Sequence, residues 1–169
     1  LESLDILESI ECPTYKISSM DIVNIPLIKA VASKGKPVII STGMSDISDI
    51  QAAADAVLTS SNDQLILLHC ISSYPCPPAS ANITMIQKLA NTFDTIVGYS
   101  DHTLGCEAAL GAVAMGCEVI EKHITLDNAR QGPDHAASLM PQQFADFVSA
   151  LRQMTIALGD GEKRTTLSE

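Results

Sequence analysis

The chain has no tryptophan, and only three tyrosines and three phenylalanines among its 169 residues. So thin an aromatic complement offers no stacking platform for single-stranded nucleic acid. Basic side chains are scarce too. Ten stand against twenty acidic ones, and a formal net charge of -10 with no run of Lys or Arg gives a polyanion or an anionic membrane nothing to bind. Apolar stretches such as Leu65 to Leu68 fall far short of the roughly 20 residues that cross a bilayer, and no signal-peptide pattern precedes them. The expectation is a soluble protein whose partners include neither nucleic acid nor membrane. Among the five cysteines (Cys12, Cys70, Cys76, Cys106, Cys117) no two form a C-x-x-C pair, and the odd count speaks against a disulfide framework. Reduced thiols in a cytoplasmic protein are expected. An initiating methionine is also missing. The opening LESLDILESI reads as the end of an amphipathic helix, so the sequence is expected to be a piece of a longer protein.

What is present is a hydrophobic content of 46%, enough for one domain that buries roughly 70% of its unfolded surface. Short runs rich in Val, Ile and Leu recur at Tyr15 to Ile17, Pro37 to Ile40, Gln64 to Leu68, Thr95 to Val97 and Glu118 to Ile120. Between and after them, apolar residues at three- and four-residue intervals predict helices over 25–33, 47–58, 83–92, 107–115 and 141–158. Ser45-Asp46, Ser80 with Asn82, and Pro141 supply helix starts, while Gly35 and Gly116 close helices. Five strand-then-helix units imply parallel strands with right-handed crossovers. That is five-eighths of a (β/α)8 barrel, whose usual length is about 250 residues, with an open sheet as the competing architecture. The α/β domain is read as 1–158. Residues 159–169 lose the apolar period and read as a linker leaving it.

Polar residues cluster after each strand, and in either architecture the carboxyl ends of parallel strands open on one face. His102 and His123 close consecutive strands and can approach one point. With oxygen donors nearby and no thiolate, the pair suits a divalent cation such as Mn2+ or Mg2+ acting as a Lewis acid. The reading of both as hydrogen-bonded core residues has equal standing. Lys16, Ser19, Ser41, Ser72 and Ser100 form a distributed hydroxyl and ammonium set suited to a phosphate, although each Ser alone reads more simply as a turn or cap. Lys16 and Lys122 are the two cations expected in a pocket, since a buried Lys needs an anionic partner. A Schiff-base role for either is the sharper alternative. Tyr74, on a proline-rich loop, and Asp134, in Gly132-Pro133-Asp134-His135, are candidates for facing a ligand, equally readable as parts of tight turns.

The succession Lys16-Ile17-Ser18-Ser19, IISTGM (39–44), LLHCISSYPCPP (67–78), GYSDHTLG (98–105), EKHITLD (121–127) and GPDH (132–135) resembles the sialic acid synthase family from residue 15 onward. The resemblance implies a partial (β/α)8 TIM barrel holding strands four to eight. It also implies an enzyme that condenses phosphoenolpyruvate with an N-acetylated amino sugar to a nine-carbon sugar acid: N-acetylneuraminate, legionaminate or pseudaminate. By resemblance His102 and His123 hold Mn2+ or Mg2+, and Lys16, Ser19, Ser41, Ser72 and Ser100 contact phosphoenolpyruvate. Glu121 and Lys122 line the same pocket with catalytic roles alongside Lys16, while Tyr74 and Asp134 face the acceptor sugar. Met20 stands where some members carry Gly, and Ser72 where some neuraminate synthases carry Asn. The SSYP-x-P string is more similar to pseudaminate synthases. The family pattern further implies three preceding βα units, a following antifreeze-like (SAF) domain and a homodimer, so the 169 residues alone are expected to be inactive. Two other classes stay open: a metal-free Schiff-base aldolase and a non-catalytic sugar-binding fragment.

Overall fold

A computed structural model describes residues 2–165. The expected linker at 159–169 therefore lies partly outside the described residues, and its described part carries no helix or strand. The order is α1 (Glu2–Ser9), β1 (Tyr15–Ile17), α2 (Ile25–Ala32), β2 (Val38–Ser41), α3 (Ile47–Leu58), β3 (Leu65–Cys70), α4 (Met85–Thr92), β4 (Ile96–Asp101), α5 (Glu107–Ala114), β5 (Val119–Lys122) and α6 (Pro141–Leu158). All five strands are parallel and lie in sequence order β1-β2-β3-β4-β5. This is the partial (β/α)8 barrel, with helices on its outer side.

Local chemistry accounts for most boundaries. Asp46 caps α3, accepting from the backbone N–H groups of Ser48 and Asp49 at 2.8 and 3.0 Å while Asp49 reaches back to the Asp46 N–H. Pro141 opens α6, and Gly35 and Gly116 take φ of 69° and 93° just beyond α2 and α5. One helix start departs from expectation. α4 begins at Met85 rather than residue 83 and has no side-chain cap, because Asn82 turns left-handed at φ 45° and Ser80 belongs to a short 3-10 turn.

The strands also run further than the apolar runs: β3 continues through His69 and Cys70, β4 through Ser100 and Asp101, and β5 through Lys122. Their polar tips keep the backbone ladder, so hydrophobicity alone underestimates strand length. Register sorts the side chains. Tyr15, Ile17, Val38, Ile40, Leu65, Leu67, Val97 and Tyr99 point outward into a core closed by Ile28, Val31, Ala53, Val57, Ile86 and Leu89 of the helices. Lys16, Ile39, Ile66 and Ile96 share the inner face, and Ile96 there is 42% exposed. The inside of the half-barrel is thus open rather than packed. Gly98 permits the curvature, since a Cβ there would meet the Val119 carbonyl at 2.6 Å.

Candidate functional site

Curling brings the two outermost strands within reach of each other: Lys16 Nζ on β1 lies 3.8 Å from Glu121 Oε2 on β5. Between them the strand tips enclose a cavity of about 410 Å3 lined by the inner-face residues. Lys16, Ser19, Ser41, Ser72, Tyr74, Ser100, His102, Glu121 and His123 all line it, as expected from the sequence. Lys16 is not buried, however. Its side chain is 34% exposed, facing the open cup.

Hydroxyls knit the cavity floor. Lys16 Nζ donates to Ser41 Oγ at 2.7 Å, the Gly43 N–H donates to Ser19 Oγ at 3.0 Å, and Ser19 Oγ lies 3.2 Å from Cys70 Sγ. A Cβ at Gly43 would fall closer than 3.0 Å to Ser72 Oγ, Cys70 Sγ and Ser19 Oγ, so glycine is what leaves this floor open. Cys70, Ser18 and Met44 line the cavity and were missed by the sequence reading, as was Gly43 beneath Ser19 and Ser72. Counting by twos from Ile66 along β3 points to Cys70. Met20 lies at the mouth, 78% exposed.

The two imidazoles meet: their ring centroids are 5.3 Å apart, with the Tyr74 ring 4.2 Å from His102 and 5.7 Å from His123. Tyr74 is brought there by a loop whose Cys76 N–H donates to the His102 carbonyl at 2.7 Å. His102 Nδ1 faces the Ile71 carbonyl at 2.8 Å, and a carbonyl only accepts, so Nδ1 carries the proton and Nε2 presents its lone pair. Ser100 Oγ, 3.3 Å from that Nε2, gives its single proton to Glu121 Oε1 at 2.6 Å, leaving the lone pair unprotonated. Burial, reinforced by the neighbouring His123, holds His102 below the ordinary imidazole range, which favours the neutral ligand form. Burial also raises the Tyr74 hydroxyl. Metal–imidazole bonds of about 2.0–2.1 Å allow two rings on one ion at such a separation. No group of three or more His, Cys, Asp and Glu among the described residues is arranged around one ion. A cation held by this pair thus keeps positions open for substrate, and the residues fit it.

Two expected residues stand elsewhere. Lys122 does not line the cavity: alternation turns Glu121 inward and Lys122 outward, where its Nζ pairs with Asp101 Oδ2 at 2.8 Å. Asp134 lies outside the lining on the exposed 132–135 turn, close enough only for its charge to act on the Tyr74 hydroxyl. His69 is on the outer face too, bonded through Nε2 to the Ala81 carbonyl at 2.9 Å.

Known proteins bear on this arrangement. The family model described as "NeuB family" matches residues 1–163. The chain is 42% identical to the N,N'-diacetyllegionaminic acid synthase of Campylobacter jejuni, covering 100% of this chain and 51% of that protein. It is 37% identical to the pseudaminic acid synthase of Helicobacter pylori, covering 96% and 48%. It superimposes with a TM-score of 0.93 and 39% identity on the crystal structure of N-acetylneuraminic acid (sialic acid) synthetase from Leptospira borgpetersenii in complex with citrate, covering 99% of this chain and 59% of that one. The chain spans about half the length of the curated relatives it matches.

Proposed function

This chain belongs to the NeuB family, and from that membership and the cavity we propose that it forms part of a nonulosonic acid synthase. The reaction joins phosphoenolpyruvate to an N-acetylated hexosamine-type sugar and releases phosphate. The observation that carries the proposal is one cavity holding both the His102–His123 pair and the Lys16–Ser19–Ser41–Ser72–Ser100 set.

Each group has a task. Lys16 and the serine hydroxyls hold the phosphate and carboxylate of phosphoenolpyruvate with charge-assisted hydrogen bonds, and stabilise the phosphate as it departs by C–O cleavage. Mn2+ or Mg2+ on His102 and His123 would polarise the sugar aldehyde as a Lewis acid. Glu121, accepting from Ser100 and facing Lys16, is placed to move a proton when water adds at C2. Tyr74, beside both imidazoles, aligns the acceptor, and Asp134 orients sugar hydroxyls from the loop above. A Schiff-base aldolase is less favoured by the lysines: Lys16 is partly exposed and paired with a carboxylate, and Lys122 is turned away from the cavity.

The cup is open to water on one side, which weakens electrostatic stabilisation, so the 169 residues alone are proposed to turn over little or nothing. The full protein is proposed to act as a homodimer in the cytoplasm, where the five free thiols of these 169 residues stay reduced. Among the described residues no helix is long and apolar enough to cross a membrane.

The test is phosphate release by the full-length protein supplied with phosphoenolpyruvate, Mn2+ and a panel of mono- and di-N-acetylated hexoses. Metal-dependent release with any of them supports the proposal. Activity that persists in EDTA and is trapped by borohydride assigns the aldolase instead. The panel also decides the acceptor, on which the SSYP string and the higher identity to a legionaminic acid synthase point different ways.

A further inference from the structure

Of the ion pairs among the described residues, Asp101–Lys122 alone is withdrawn from water, with side chains 0% and 1% exposed. A buried pair is weak grounds for stability, since desolvation offsets much of its attraction. Its position is more telling. Asp101 and Lys122 are register partners on β4 and β5, each one residue before an imidazole of the cavity. The bridge therefore ties the two strand tips together from the helical side of the sheet, while His102 and His123 emerge on the other side.

The ties extend around both imidazoles. Asp101 Oδ1 accepts from the backbone N–H and the hydroxyl of Thr103, each at 2.8 Å, and Lys122 Nζ donates to the Thr103 carbonyl at 2.5 Å. His102 is thus held between two residues of one hydrogen-bonded cluster, and its own carbonyl accepts from Cys76. The His123 carbonyl accepts from the Leu139 N–H at 3.0 Å. Lys122 Nζ also sits 5.6 Å from the centre of the Phe147 ring of α6, which closes the cluster to solvent. No atom of the bridge reaches the cavity.

We propose that the Asp101–Lys122 bridge is a positioning device that sets the separation and orientation of the His102 and His123 rings for a shared cation. The proposal rests on reading those rings as one ligand pair. It makes Lys122 a positioning residue acting through the backbone.

The experiment compares the protein with Asp101→Asn/Lys122→Met, which removes both charges while keeping an acceptor for Thr103. Folding is followed by circular dichroism, ring proximity by nuclear Overhauser contacts between the two imidazoles in the metal-free state, and Mn2+ affinity by electron paramagnetic resonance. The expected result is a folded variant with weakened ring-to-ring contacts and a Mn2+ affinity lower by about 10- to 100-fold, the scale of losing a ligand-orienting partner. Lys122→Arg, which keeps a cation opposite Asp101, is expected to preserve both. Unchanged ring contacts in the folded double variant, or equal losses in Lys122→Arg, overturn the proposal. If the double variant does not fold, Thr103→Val carries the test, and unchanged contacts there overturn it. Mn2+ binding no better than that of His102→Ala sinks the metal reading alone, because the metal-free ring contacts still judge the bridge.

Discussion

His102 has its Nδ1 proton held by the Ile71 carbonyl and its Nε2 lone pair turned to the cavity, so replacing it removes the proposed ligand atom together with the ring contacts to Tyr74 and His123. His102→Ala in the full-length protein is expected to lower metal-dependent phosphate release by about two orders of magnitude or more, the scale of losing an electrostatic stabiliser. Full activity in that variant contradicts the ligand assignment. Gly43→Ala tests the floor: the added methyl meets Ser72, Cys70 and Ser19. The expectation is about 1–3 kcal/mol of lost stability from overpacking, seen in thermal melts, with weaker phosphoenolpyruvate binding by calorimetry. Both residues stand in strings recognisable from the sequence, but their sense of direction does not. Lys122 shows why. Three chemically attractive residues in a row, Glu121-Lys122-His123, cannot all face one cavity from a strand, and period-two alternation sends the middle one outward. Met44 and Cys70 illustrate the converse, since apolar residues lining the cavity leave no mark in a search for charged and hydroxyl side chains.

The helix starts and strand ends differ in how local their causes are. At α3 the capping box lies within four consecutive residues, so Ser45-Asp46 before Ile47 marks the start correctly. Asp46→Ala is expected to cost about 1 kcal/mol, the usual value of an N-cap, measurable by denaturant titration. A loss near zero means that the cap is not formed in solution. At α4 the start depends on a left-handed turn at Asn82 that follows from how the 71–84 loop is folded back, and no local capping signal predicts it. At the tips of β4 and β5, Ser100, Glu121 and Lys122 are legible as candidate site residues yet not as strand, and the same holds for the strand character of His69 and Cys70 on β3. Their ladder bonds come from neighbouring strands distant in sequence.

Across the molecule, two histidines couple folding to acidity. Burial holds both His69 and His102 below the ordinary imidazole value, so the unfolded chain takes up protons first as pH falls through about 6.5. The contribution of these two histidines is then expected to be level above that pH and to decline below it, down to the depressed native values. Each pKa unit of depression corresponds to about 1.4 kcal/mol. A melting temperature that rises on acidification from about pH 7 to about pH 5.5 contradicts this. The open sheet makes a second prediction. β1 and β5 have no strand partner on their outer edges among the described residues, apart from the Ile124–Leu139 bridge beyond β5, and the inner face exposes Ile96. The isolated 169 residues are expected to self-associate as concentration rises, seen as earlier elution in size-exclusion chromatography.

Parallel strands, the side on which they end and the set of residues gathered there were already written in the order of apolar runs and polar strings, because those depend on local periodicity and on the fixed handedness of crossovers. Which side chains face the cup, how far it stays open and what stands behind the histidines came from the folded molecule. These follow from register, curvature and the close approach of β1 to β5, and each joins residues far apart along the chain.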